Sequence, residues 1–339
     1  MLHCLKPLRI GPVEVRNRIA MPPMVRMAPH VPPELMTDGG SVTDGLVQHY
    51  AKRARAGVGL IIVEATCVHP SGRVWRHGLE AYDNSHIPGL SRIAQGISEG
   101  GAVPGIQLVH GGPQADPTLT QGVTLGPSAV APSVGEPEPR EMDLGTILTI
   151  QTAFVDAAAR AVEAGFKFIE IHGAHGYLLD SFVSPMRNHR TDAFGGTLEN
   201  RMRMLMDIVM RTKDRLRDAA AVGARISVFN HTGDGFGASE LTTMVGCLTQ
   251  AYSDFVDLSV DRVLKPAFAS DRTMGHVARD ATNLPVLVAG GLSSGLDCET
   301  AIAQGHGDIA CVGRAMLADP DWMRAAMAEL ECSGASANG

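Results

Sequence analysis

Two histidines and a tyrosine stand within six residues in the segment Ile171-His-Gly-Ala-His-Gly-Tyr-Leu-Leu-Asp-Ser-Phe. Imidazoles three positions apart can aim N–H groups at one small acceptor. The tyrosine two residues further on is a weak acid, with a pKa of about 10 when unperturbed. Hydrogen-bond donors beside a proton donor suit chemistry on a carbonyl-bearing substrate. Taken alone, the segment has two other readings. HxxH could be a metal half-site, or the histidines could cap backbone groups in a polar loop. No third ligand of suitable spacing stands out for a metal.

The elements that would position these residues are short β-type runs spread along the chain. They begin at Arg18-Ile-Ala-Met, Gly59-Leu-Ile-Ile-Val-Glu, Pro104-Gly-Ile-Gln-Leu-Val and Lys167-Phe-Ile-Glu-Ile. They continue with Ala224-Arg-Ile-Ser-Val-Phe, Asp254-Phe-Val-Asp-Leu-Ser, Pro285-Val-Leu-Val-Ala and Asp308-Ile-Ala-Cys-Val. Near-continuous apolar runs suit parallel strands buried on both faces. Helical patterns fill the intervals: 44–56, 88–99, 146–164, 198–218, 238–253, 272–281 and 296–305. Eight strands alternating with helices predict an α/β fold of the (β/α)8 TIM-barrel type. A doubly wound open sheet is the competitor, but no GxGxxG follows the first run. One barrel is expected over residues 1–330. A Pro- and Gly-rich excursion, about 111–142, would follow the third strand over the barrel mouth. Residues 331–339 read as a disordered tail.

Barrel sites lie at the C-terminal ends of the strands. Reading those ends gives Gln107 in the third strand, His172 at the end of the fourth and Arg225 in the fifth. Gly290-Gly291 ends the seventh, and Gly313-Arg314 the eighth. The glycines offer unhindered backbone N–H groups and Arg314 a charged partner, which suits a phosphate. The bland reading is tight turns. A guanidinium in a buried strand needs an anion. For Arg225 this is either an internal Asp or Glu, or a ligand that carries or develops negative charge.

Bulk properties narrow the classes. The chain has 339 residues, 45% of them hydrophobic and 19% charged, with a formal net charge of −7. That gives no basic footprint for nucleic acid or an anionic membrane. No apolar stretch reaches the length of a transmembrane helix, and the N-terminus lacks a signal-peptide core. A cytoplasmic enzyme acting on a small molecule is expected. The six cysteines form no CxxC pair, which argues against zinc and a cysteine-ligated cluster.

With these residues placed, the chain resembles the old yellow enzyme family of FMN-dependent ene-reductases along nearly its whole length. The carrying segments are Leu5-Lys-Pro-Leu-Arg-Ile-Gly, Val15-Arg-Asn-Arg-Ile-Ala-Met-Pro-Pro-Met, Val63-Glu-Ala-Thr and Gly105-Ile-Gln-Leu-Val-His. The strongest is His172-Gly-Ala-His-Gly-Tyr-Leu-Leu-Asp, followed by Asn188-His-Arg-Thr-Asp-Ala-Phe-Gly-Gly-Thr-Leu-Glu-Asn-Arg. Val312-Gly-Arg-Ala-Met-Leu-Ala-Asp-Pro closes the set.

The resemblance implies FMN in the barrel mouth. Pro23, Met24, Val25 and Ala65 would lie at the isoalloxazine, and Gln107 would bond its pyrimidine edge. Arg225 would sit where charge accumulates on reduction. Gly290, Gly291, Gly313 and Arg314 would hold the phosphate. His172 and His175 would bind the oxygen of an α,β-unsaturated carbonyl or nitro compound, and Tyr177 would protonate its α-carbon. NADH or NADPH would be the reductant in a ping-pong cycle, and a homo-oligomer is possible within the family.

The chain also departs from the family pattern. Val25 stands where relatives often carry Thr or Cys, so it cannot donate a hydrogen bond to the flavin. Pro113 replaces a common arginine, and Phe194 a common tyrosine. Some relatives send a C-terminal arginine into a neighbour's site, whereas the last arginine here is Arg324. Two alternatives stand beside ene-reduction. One uses the same flavin site for dehydrogenation, aromatisation or redox-neutral isomerisation of a cyclic enone. The other is a phosphate-binding barrel without redox chemistry.

Overall fold

The structure, a computed structural model, describes residues 2–25, 35, 39–228 and 235–336. Eight parallel strands close on themselves: β1 (Ile19–Met21), β2 (Leu60–Cys67), β3 (Val103–Val109), β4 (Phe168–Gly173), β5 (Ala221–Ile226), β6 (Val256–Ser259), β7 (Val286–Ala289) and β8 (Ile309–Cys311). Closure is made by Ala20 of β1, which pairs with Leu60 of β2 on one side while Cys311 of β8 pairs with it on the other. This is the (β/α)8 barrel predicted from the alternating runs.

The helices outside the barrel are α1 (Asp44–Arg55), α2 (Ile87–Glu99) and α3 (Leu144–Glu163), then α4 (Leu178–Val183), α5 (Leu198–Leu216) and α6 (Ala238–Gln250). The last four are α7 (Met274–Ala281), α8 (Gly295–Ala303), α9 (Arg314–Ala318) and α10 (Trp322–Ser336). Side-chain caps start several of them. Thr43, Asp143, Thr197 and Ser294 accept backbone N–H bonds from the first turns of α1, α3, α5 and α8.

Two cores hold this layout. The larger lies between the strands and the helix ring and includes Ile61, Val63, Phe154, Ile169, Ile171 and Leu205. The smaller fills the lower barrel with Leu60, Ile62, Phe168, Phe255, Leu287 and Ile309. Phe168 and Phe255 stack there with centroids 4.0 Å apart. An N-terminal hairpin, Leu8–Ile10 against Val13–Val15, buries Ile10 and Val15 in this cluster and closes the barrel floor. Strand residues alternate between the two cores, as a period of two requires.

Several elements differ from the sequence expectation, the helices α9 and α10 after the last predicted helix among them. The fifth strand starts at Ala221 rather than Ala224. Gly223 reads as punctuation, but it is a close-packing position: a Cβ there would lie 2.5 Å from the Phe255 carbonyl oxygen. The end of that predicted run, Phe229, lies outside the described residues. The tail expected from 331 is helical through Ser336, because α10 continues past Leu330, which packs in the larger core. Residues 337–339 lie outside the described residues. Finally, α4 was not expected: six residues are too few to show a helical period, and every one of them is buried.

The 111–142 excursion is fastened over the C-terminal end of the barrel. Arg187 donates to the carbonyls of Ala131 and Pro132, and Arg190 to those of Pro127 and Met142. His189 donates its backbone N–H to Ser128 Oγ. Both arginines belong to the segment between α4 and α5, so the excursion is tied to the element carrying Tyr177. No helix among the described residues is long and apolar enough to cross a membrane.

Candidate active site

The fourth strand delivers its inward residues in order: Phe168 to the floor, then Glu170, then His172. His172 is buried and registers beside Arg225 of β5. The chain then turns sharply. His175 adopts a left-handed φ of 63°, followed by Gly176 at 76°. A non-glycine residue in this region costs about 1–3 kcal/mol, held where surrounding contacts fix it. Three contacts fix this turn. Gln114 Nε2 donates to the His175 carbonyl at 3.0 Å, the Gly176 N–H donates to Asp180 at 2.6 Å, and Leu178 N–H donates to the His110 carbonyl at 3.1 Å.

The turn brings the three expected residues together. The His172 ring lies 5.0 Å from His175 and 5.2 Å from Tyr177, centroid to centroid. Their settings differ. His172 is buried and its Nδ1 has no hydrogen-bond partner. Burial, His175 and the Arg225 charge hold its pKa well below the ordinary histidine value, so it is neutral. His175 is exposed and its Nε2 lies 2.8 Å from Ser259 Oγ at the end of β6. Tyr177 is half-buried, and burial pushes its phenol up to about 12. Trp75, which the sequence reading did not single out, packs edge-on against Tyr177 at 5.8 Å. Its loop is pinned by buried Glu80, which pairs with Arg73 at 2.7 Å and accepts from Tyr82 at 2.5 Å.

Below the histidines sit Gln107 and Arg225, both inside the barrel. Gln107 Nε2 donates to Glu170 at 2.5 Å. Arg225 Nη1 lies 3.4 Å from Asp257 of β6. The internal-acid reading of Arg225 is therefore met, yet Nε and Nη1 still lack hydrogen-bond partners although buried. Unsatisfied buried donors call for an acceptor from outside the chain.

The remaining residues ring the mouth. Pro23, Met24 and Val25 lie just past β1, after Pro22. Ala65 lies in β2 where the ladder to β3 shifts register between Val63 and Thr66, a local bulge that re-aims the strand. Gly290 and Gly291 follow β7 with φ of 152° and 71°. A Cβ on Gly290 would lie 1.9 Å from the Val260 carbonyl oxygen, so only glycine fits. Gly313 precedes α9, and a Cβ there would lie 2.9 Å from Met24 Sδ. The ends of β1 and β8 thus meet at this point. Arg314 is exposed and forms no ion pair with a described residue. Beside His175 opens a cavity of about 500 Å³, walled by Pro113, Gln114, Pro132, Glu136 and Arg187 of the excursion and its anchor. Among the described residues no group of three His, Cys, Asp or Glu is placed to hold a metal ion.

Residues 3–332 match the NADH:flavin oxidoreductase / NADH oxidase family. The chain belongs to this family. It is 34% identical over 322 residues to the NADPH dehydrogenase of Geobacillus thermodenitrificans, covering 93% of this chain and 91% of that one. The NADPH dehydrogenase of Bacillus subtilis is 33% identical over 330 residues, 96% and 94% of the two chains. The NADH oxidase of Thermoanaerobacter brockii is 34% identical over 329 residues, 94% of this chain but 50% of its own length. The chain therefore spans half of that relative.

In fold, it is similar to the old yellow enzyme homologue from Zymomonas mobilis, with a TM-score of 0.83, 23% identity and coverage of 96% and 92%. Morphinone reductase, solved in complex with tetrahydroNAD, gives a TM-score of 0.82 at 23% identity, covering 94% and 88%. Membership makes the chain an FMN-dependent oxidoreductase that uses NADH or NADPH, and it overturns the reading as a non-redox phosphate barrel. The residues present suit FMN. Arg225 has orphaned buried donors, and Gly290 and Gly291 leave the end of β7 without side chains, with Gly290 held against the Val260 carbonyl where no Cβ fits.

Proposed function

We propose that the enzyme reduces the activated C=C bond of α,β-unsaturated carbonyl or nitro compounds. The observation that carries this reading is His172. It is a buried, neutral imidazole with an unpartnered nitrogen, 5.0 Å from a second imidazole and 5.2 Å from a phenol that stays protonated. Two imidazole donors beside a weak acid match an acceptor oxygen conjugated to a carbon that must take a proton.

FMN, when bound, supplies the hydride-transfer chemistry and is recharged by NADH or NADPH. Pro23, Met24, Val25 and Ala65 would form its bed and Gln107 and Arg225 would meet its polar edge. Gly290, Gly291, Gly313 and Arg314 would hold its phosphate. His172 and His175 hold the substrate oxygen and withdraw electron density from the β-carbon. Tyr177 Oη gives its proton to the α-carbon. Trp75 keeps the phenol ring in place by packing on its edge. The cavity beside His175 admits the rest of the substrate, with Gln114 and Arg187 as polar contacts in its walls. The soluble-cytoplasm expectation belongs to this same reading, as does a small-molecule alkene as the partner.

The test is anaerobic turnover of cyclohexenone and a nitroalkene with NADPH or NADH, followed by product analysis. Saturated product with parallel double-reciprocal plots is expected. A flavin that is reduced by NAD(P)H but reoxidised by neither alkene would refute the proposal.

A further inference from the structure

One layer inside the barrel is polar. Gln107, Glu170, Arg225 and Asp257 are 3%, 0%, 6% and 0% exposed, and they lie between the Phe168–Phe255 stack and the His172–Ser259 level. Glu170 Oε2 accepts from Gln107, whereas Glu170 Oε1 has no partner. Both oxygens of Asp257 also lack hydrogen bonds, although Arg225 Nη1 is 3.4 Å from Oδ2. The two carboxyl groups are buried on the strands that flank β5, in the same layer as Arg225. Facing carboxylates can only accept. Closed off from water, two negative charges and one guanidinium would leave an uncompensated buried charge, which is costly. One proton between the carboxyls removes both problems.

We propose that Glu170 and Asp257 share a single proton, and that this acid pair is the positioning device that holds Gln107 and Arg225 under the flavin site as one electrically neutral unit. Glu170 carries the proton on Oε1 and donates it to Asp257, while its Oε2 accepts from Gln107. Asp257 keeps the negative charge opposite Arg225. With its Nε2 engaged by Glu170, the Gln107 amide presents its oxygen as an acceptor to the ligand. Arg225 keeps Nε and Nη1 for a ligand acceptor. Burial and the neighbouring Asp257 charge push the Glu170 carboxyl well above the usual range, against the opposing pull of Arg225. The other titratable groups facing this layer, His172 and Cys311, are uncharged in the folded protein: burial lowers the first and raises the second.

The placement at the flavin edge rests on the function proposed above; the shared proton does not. Infrared difference spectra of the apoprotein and holoprotein at pH 7 should show a protonated-carboxyl C=O band that shifts in D2O. Glu170→Gln should abolish it in both. The flavin midpoint potential should stay within error of wild type in Glu170→Gln, because a neutral group replaces a neutral group. It should shift positive in Asp257→Asn, which leaves Arg225 uncompensated. Absence of the band from wild-type apoprotein overturns the proposal, even if Glu170→Gln does not fold. So does a Glu170→Gln potential that moves as far as that of Asp257→Asn. A protein that shows the band yet reduces no alkene would leave the acid pair standing and refute only the proposed reaction.

Discussion

Tyr177→Phe isolates the proton donor because the structure lets the hydroxyl be removed without disturbing its surroundings. The ring is held by His172 at 5.2 Å and Trp75 at 5.8 Å, contacts that phenylalanine keeps. The hydroxyl has no hydrogen-bond partner among the described residues, so its loss should change stability by no more than about 0.5 kcal/mol. Its catalytic loss should be far larger. General acid catalysis contributes roughly 10²–10⁴-fold, or about 3–5 kcal/mol of barrier. With the phenol pushed up to about 12, only roughly one part in ten thousand is ionised at pH 8.

Stopped-flow reoxidation of the reduced enzyme by cyclohexenone should therefore slow by roughly 10²–10⁴-fold in Tyr177→Phe. The wild-type rate should be flat from pH 6 to 9 as far as this group is concerned. Reduction by NADPH transfers no proton to a carbon acid and should change by less than about threefold, since no contact worth 1 kcal/mol is lost. Equal slowing of both half-reactions would refute the assignment, because it would mean that Tyr177 supports the site as a whole. A wild-type reoxidation rate that falls with an apparent pKa near 8 would refute the protonation argument.

The remaining predictions concern binding, the cofactor cradle and acid stability. His172→Ala should weaken binding of a para-substituted phenol by about 10-fold or more, the worth of one hydrogen bond to a charged acceptor, and abolish the associated charge-transfer absorbance; unchanged affinity would remove His172 from the ligand pair. Gly290→Ala forces a Cβ to within 1.9 Å of the Val260 carbonyl oxygen at a φ of 152°. Its flavin-to-protein absorbance ratio after dialysis should fall well below wild type, and full retention of FMN would rule out a cradle at β7. His110 is fully buried, and burial together with nearby His69 lowers its pKa to about 3. Its folded value lies below the unfolded value of about 6.5, so the unfolded chain takes up the extra proton. The stabilisation is present above pH 6.5 and is lost as pH falls toward 3, by about 1.4 kcal/mol per pH unit. Urea midpoints measured from pH 7 to 4.5 should fall, and His110→Gln should flatten that fall; an unchanged slope would mean that His110 is protonated in the folded protein.

The barrel was legible because its strands are buried on both faces, so each reads as an unbroken apolar run that no amphipathic helix would produce. Polar residues inside such runs are costly, and this made Gln107, Arg225 and His172 visible as candidates. Glu170 lies in the same kind of run, two residues before His172, and strand parity alone puts it on the same inner face. What the sequence does not carry is register across strands. That Asp257 of β6 shares a buried layer with Glu170 of β4, two strands away, depends on how the ladders β4–β5 and β5–β6 are staggered. No local pattern encodes that stagger. Trp75 was missed for a related reason. It sits in a loop whose path is set by one buried carboxylate, Glu80, and a loop's path leaves no period in the sequence. The helices α4, α9 and α10 were not among the expected ones: the first two are too short to show a period, and the third ends in small residues. Motif and parity thus identify which residues face the site. Which of them share a charge or a proton depends on distances between strands, and at this site that is where Glu170 and Asp257 would act.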